Sequence, residues 1–201
     1  IMHANEDVVI NVTNGIGLTT TTHWHGFHVP AQMDGGPHQV IAPNTTWSPT
    51  FRVLNRAGFY WYHPHIMPMG GNRQSGTSWQ VWQGLAGQII VRDEVSETLP
   101  IPRTLGVDDI PLTIQDRQFD DDGQFREPPF EDLGYRWTMR KGTTVLVNGV
   151  ATPVMQSHAQ VIRLRMHNGS NARTFNFGFD DDRIFHQIAT DGGFLERPVP
   201  L

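Results

Sequence analysis

Two histidine pairs, each interrupted by one residue, restrict the fold of this chain more than any other feature: His23-Trp24-His25 and, 38 positions after His25, His63-Pro64-His65. In an extended strand successive side chains alternate between faces, so each pair aims two imidazoles the same way. Four convergent imidazoles make a metal site. Imidazole suits Cu, Zn, Fe and Ni alike, so the histidines alone leave the metal open.

The surrounding sequence has the same period of two. Trp47, Pro49, Phe51 and Val53 alternate with Thr46, Ser48, Thr50 and Arg52, and Phe59, Trp61 and His63 share a face on the approach to the second pair. Both stretches are expected to be strands, as is Asp7 to Val12. Pro49 and Pro64 lack a backbone donor and belong at an edge or a strand end. A turn of helix is expected only in Ser78 to Leu85. With 20 Gly and 14 Pro among 201 residues, 38% hydrophobic and 17% charged, the balance suits a turn-rich β protein better than a helical bundle. From Val95 to Pro111 the sequence is loop-like, with Pro100, Pro102 and Pro111 around Gly106. This divides the chain into a domain over 1–96, a linker over 97–110 and a second domain over 111–201.

The net charge of −5 and the lack of a Lys/Arg run speak against nucleic acid as a partner. No apolar run approaches the roughly 20 residues of a membrane span. Without cysteine there is no disulfide framework to indicate a compartment. No signal peptide is visible, and a start at Ile1 is expected of a mature or truncated product.

An internal echo runs through the chain. Ile10-Asn11-Val12-Thr13-Asn14-Gly15 returns as Leu164-Arg165-Met166-His167-Asn168-Gly169, His23-Trp24-His25-Gly26-Phe27 as Phe175-Asn176-Phe177-Gly178-Phe179, and Asp34-Gly35-Gly36 as Asp191-Gly192-Gly193, at separations of 154, 152 and 157. Phe175 and Phe177 stand where the first copy has His23 and His25. The second copy is therefore expected to be a packing module without metal.

Three stretches carry a resemblance to a known family. They are His23 through Asp34-Gly35-Gly36, Gly58-Phe59-Tyr60-Trp61-Tyr62-His63-Pro64-His65, and Gln83-Gly84-Leu85-Ala86-Gly87-Gln88-Ile89-Ile90-Val91. Together they resemble the first domain of the multicopper oxidases, the family of laccases, bilirubin oxidase and bacterial cuproxidases. Asn171-Ala172-Arg173 and Ala189-Thr190-Asp191-Gly192-Gly193 resemble the early part of that family's second domain. The resemblance implies an all-β, cupredoxin-like Greek-key fold, one nearly complete domain followed by part of a second. It also implies copper. His23 would bind the type 2 copper, His25 and His63 one of the paired type 3 coppers, and His65 the other. Asp34, nine residues after His25, would be the acid that orients copper-bound water and delivers protons to oxygen.

These four histidines are half of a trinuclear cluster. A blue type 1 site takes two histidines, a cysteine and a weak axial ligand, and this chain has no cysteine. The family's His-x-x-His-x-His and His-Cys-His motifs are absent too. The resemblance thus implies a segment of a longer enzyme, without the first strand of domain one, that needs a C-terminal polypeptide to complete it and is inactive alone. The whole would reduce dioxygen to water while oxidising a phenol, aromatic amine, tetrapyrrole or metal ion, in the periplasm or outside the cell.

Blander readings stand beside these. His3, His28, His38, His158, His167 and His186 are expected to be surface or satisfied core residues. Trp24 is expected to pack on the strand face opposite the histidines. Asp34 is either the acid just described or a turn residue, since Asp-Gly is a common turn signal. Met67 and Met69 offer soft thioethers to Cu(I) but fit a Gly-rich loop, Met67 to Trp79, whose role is open. A stand-alone copper-binding module without oxidase activity, a relative that has kept only the fold, and a zinc hydrolase using a three-ligand site are the competing functions.

Overall fold

The computed structural model describes residues 1–68, 75–126, 141–158 and 161–201. They form two compact units. The first comprises Ile1–Thr77, Ala86–Pro100 and Asn176–Leu201, the second Ser78–Leu85 and Ile101–Phe175. Short curled strands dominate both, a cupredoxin-like Greek-key architecture.

The first unit opens with β1 (Met2–His3), β2 (Asp7–Val9), β3 (Val12–Thr13) and β4 (His23–His25), then β5 (Thr46–Trp47), β6 (Thr50–Arg52), β7 (Gly58–His63) and β8 (Gly87–Arg92). One sheet has the order β1-β8-β7-β4, while β2 pairs with β6 and β3 with β5. The expected strand from Asp7 to Val12 is thus broken in two, and the run from Thr46 breaks at Ser48-Pro49, where proline removes a ladder donor. Inward-facing Trp24, Phe51, Val53, Tyr60, Ile89 and Val91 form the core. Trp24 stacks on Trp47 at 6.1 Å and donates its indole N–H to the Met33 carbonyl at 2.9 Å. Its face of β4 is therefore committed to packing, which leaves the other face to the histidines.

Helix α1 (Thr77–Trp82) falls where a helical turn was expected. Helix α2 (Glu94–Thr98) occupies part of the sequence expected to be loop. Asp93 starts it with a capping box, its carboxylate accepting from Ser96 N while Ser96 Oγ accepts from Asp93 N.

In the second unit β9 (Asp109–Arg117) lies between β10 (Thr144–Val147) and β12 (Arg163–Asn168), and β11 (Val150–Ala151) pairs outside β10. Pro111, expected in the loop, lies inside β9. It is tolerated because β10 pairs only with Ile114 to Arg117, and next to Pro111 the Asn148 side chain replaces a strand by donating to Pro111 O and accepting from Thr113 N. Asn148-Gly149, both with positive φ, makes the β10–β11 hairpin. Asn14-Gly15 does not make one. Asn14 is buried and donates to the carbonyls of Leu18 and Ile41, closing a longer loop.

Strands β13 (His186–Thr190) and β14 (Gly193–Pro200) form a bulged hairpin that belongs to the first unit. The echo segment Phe175–Phe179 forms no strand. No helix among the described residues is long and apolar enough to cross a membrane.

The second unit contains a fully buried ion pair. Asp109 is 0% exposed and receives two bonds from Arg165, Nε to Oδ1 at 2.7 Å and Nη2 to Oδ2 at 2.8 Å. Removing one partner strands a buried charge, a loss of about 3–5 kcal/mol. Asp109→Ala is expected to lower the unfolding free energy by that amount, measured by denaturant unfolding, and an unchanged value would contradict the pairing.

Candidate metal centre

Antiparallel pairing of β4 with β7 sets His23 opposite His63, Trp24 opposite Tyr62 and His25 opposite Trp61. Immediately after His63 the chain leaves the strand at Pro64, and the backbone N–H of His65 donates to Thr21 Oγ1 at 2.6 Å. The four rings converge as a result. The centroid of His23 lies 5.7, 5.4 and 5.2 Å from those of His25, His63 and His65. His25 and His63 are 5.3 Å apart, and His63 and His65 6.1 Å. Among the described residues, His23, His25 and His63 form a group whose donor nitrogens all lie within 4.8 Å of one another.

Backbone carbonyls decide which nitrogen each ring presents. His23 Nδ1 lies 2.9 Å from Asp34 O, and His63 Nδ1 lies 2.7 Å from Pro64 O. A carbonyl only accepts, so both rings carry their proton on Nδ1 and turn the Nε2 lone pair inward. That lone pair of His63 points at His25 Nδ1, 3.1 Å away. The separation fits two donors of one ion at bonds of about 2.0 Å. Neutral imidazoles with fixed tautomers and convergent lone pairs are the donor set that copper takes, so the residues present fit the metal.

Asp34 reaches the site through a tight turn. A 3₁₀ turn (Ala31–Met33) delivers it beside β4, where its carboxylate stands 3.2 Å from His23 Nδ1 and its carbonyl also accepts from Trp24 N. The turn depends on Gly35, whose φ is +71° and where a Cβ would collide with the Thr22 carbonyl. Asp34 thus ends the turn and also stands beside His23.

Trp61 is the residue that the spacing of the histidines does not announce. Its ring stacks on His63 at 4.1 Å and lies 5.0 Å from His25. Its place two residues before His63, on the same strand face, is the signal that points to it. Burial pulls the His63 imidazole down to about 4, the Pro64 carbonyl working against this and the other three imidazoles reinforcing it. His25 is lowered by burial and by His23, with Asp191 opposing and His65 adding to the fall. The remaining histidines stand apart from the group. His3, His28, His38, His158 and His186 are exposed, and His167 is buried in β12. Met67 is exposed, and Met69 lies outside the described residues.

The curled sheets define a cupredoxin-like protein, and its convergent imidazoles form a group that could hold a metal ion. Residues 1–96 match the family model for multicopper oxidases. The chain is 38% identical to a laccase-like multicopper oxidase, CueO, from the lignin-degrading bacterium Ochrobactrum sp., with a TM-score of 0.87 over 100% of this chain and 43% of that one. Against a laccase from Pediococcus acidilactici it shows 35% identity and a TM-score of 0.88 over 100% of this chain and 41% of that one. Among curated proteins it is 37% identical to the cell division protein FtsP of Escherichia coli over 98% of this chain and 39% of that protein. It is also 36% identical to the multicopper oxidase mco of Staphylococcus aureus over 98% of this chain and 41% of that protein. The chain belongs to the multicopper oxidase family. It spans about two fifths of the length of the curated relatives it matches.

The pH response of the metal-free chain follows from His63. An imidazole held at about 4 when folded, against 6.5 when free, takes up protons more readily unfolded. Its contribution to stability is complete above pH 6.5 and declines as the pH falls from there through about 4. An NMR titration without metal is expected to show His63 neutral at pH 5.5, and a midpoint near 6.5 would contradict its burial. Gly35→Ala is expected to cost at least about 1–3 kcal/mol of stability, measured by denaturant unfolding.

Proposed function

We propose that this chain supplies half of the ligands of a trinuclear copper cluster in a laccase-like oxidase. The observation that carries the reading is the 3.1 Å approach of His25 Nδ1 and His63 Nε2, in which His25 Nδ1 donates to His63 Nε2 and would give up that proton for both nitrogens to bind one ion. In this reading His25 and His63 share one type 3 copper, His65 belongs to the other and His23 to the type 2 copper. The cluster supplies four-electron reduction of dioxygen to water, coupled to one-electron oxidation of a phenol, aromatic amine, tetrapyrrole or metal ion.

The chain's own residues prepare the site. Pro64 O and Asp34 O fix the tautomers of His63 and His23. Trp61 packs against two rings and restricts their tilt. The Asp34 carboxylate at His23 is placed to hold a proton beside the centre and to orient water there. The type 1 copper requires a cysteine, and the chain has none, so electron entry and the reducing substrate belong to another part of the intact protein. We place that protein in the periplasm or outside the cell on the family resemblance.

Two other readings have specific support. The chain's half set of ligands suits a copper-binding module without oxidase activity. The FtsP relatives support a role in cell division, in which the fold serves as a binding surface. Both are separated from the oxidase by oxygen consumption. In the intact protein, His25→Ala or His63→Ala is expected to lower oxygen uptake at least 100-fold while the blue absorption of the type 1 copper persists. Unchanged uptake in either variant would overturn the assignment, and a copper-loaded wild type that consumes no oxygen would favour the binding readings.

A further inference from the structure

The Asp-Gly-Gly sequence at residues 34–36 returns at 191–193; the first copy stands 3.2 Å from His23 Nδ1, and the second lines a cleft that His25 also lines. The second copy forms the tip of the β13–β14 hairpin, where Thr190 pairs with Gly193 across Asp191-Gly192 and Gly192 has a φ of +73°. This tip docks on β7. Tyr60 Oη lies 3.1 Å from Gly192 O, and a Cβ at Gly58 would stand only 3.1 Å from Gly192 C. Glycine at 58 is therefore what permits the approach. Docking closes one side of a cleft of about 670 Å³ whose lining includes His25, His28, Arg56, Trp61 and Asp191.

His25 thus faces this cleft from β4 and Asp191 faces it from the hairpin. The charges in it are mixed, with the Arg56 guanidinium and the His28 ring sharing the lining with the Asp191 carboxylate. Among the described residues, the group of donors within 4.8 Å is His23, His25 and His63, so the carboxylate acts through space and not as a bonded ligand.

Resting on the copper reading above, we propose that Asp191 is a second positioning carboxylate of the metal centre, stabilising a bound cation at His25 from the cleft as Asp34 does at His23. A carboxylate in a partly enclosed cleft attracts a divalent ion strongly at low salt and weakly at high salt. Without it the nearest fixed charge in the cleft is the Arg56 cation, which repels the metal. The sequence repeat then has a physical meaning: each Asp-Gly-Gly turn presents one acid to one histidine of the first pair.

The test is titration of copper(II) into the 201-residue chain at low ionic strength, in a His3→Ala background that removes a competing amino-terminal histidine. Asp191→Asn is expected to weaken copper binding about tenfold, with most of the gap closing at high salt. Asp191→Glu is expected to restore binding, and the thermal midpoint of metal-free Asp191→Asn to stay unchanged, because the hairpin docks through the Gly192 carbonyl. Copper binding by Asp191→Asn as tight as wild type overturns the inference alone, as does a loss that Asp191→Glu fails to rescue. A wild type that takes up no copper overturns the copper reading and this inference with it.

Discussion

The pairing of β4 with β7 is the constraint on which the centre depends. β7 pairs with β8 over Gly58 to Tyr62 and with β4 over Trp61 to His63, so its register cannot slip without exposing Tyr60 and stranding the core. A slip of one residue would turn every side chain of β4 to the opposite face, placing Trp24 among the histidines and the histidines in the core. Burial of Trp24 against Trp47 and Phe51 is what forbids this. The apolar face of the sheet fixes the metal-binding face, and the stability of the core is also the precision of the site.

Within that frame the site is built from groups that oppose one another. Packing imidazoles together and burying them disfavours protonation, which keeps lone pairs available at neutral pH. Carbonyls of Asp34 and Pro64 take up the outward N–H protons of His23 and His63, which fixes the tautomers of those two rings and leaves each an inner nitrogen free of a proton. Positive φ at Gly35 and close approach at Gly58 let loops reach the sheet that bulkier residues would hold away.

Much of this is legible in the residues themselves. His-x-His spacing implies shared strand faces, which β4 delivers for His23 and His25, whereas β7 ends at His63 and His65 joins the group from beyond the strand. Pro64, without an N–H, lies just past the end of β7, as expected. Elsewhere local signals misled for identifiable reasons. Pro111 looks like a breaker, yet Asn148 supplies the backbone partners that a neighbouring strand would have given. Helix α2 is hidden in a proline-bounded stretch and is declared only by the Asp93–Ser96 capping box. Asn14-Gly15 looks like a hairpin, but burial of Asn14 against two carbonyls makes it a loop closure. The echo at Phe175–Phe179 forms no strand, because similar composition does not supply a pairing partner. Trp61 is marked by its place two residues before His63, but its contact with His25 depends on the pairing of β4 with β7.

The central claim is that the four histidines of the two pairs hold copper. Its most direct test is a crystal structure of the copper-soaked chain with anomalous scattering measured across the copper edge. The account predicts a copper peak in bonding range of both His25 Nδ1 and His63 Nε2. Anomalous density confined to other histidines, or none at this pair in a copper-saturated crystal, would contradict it.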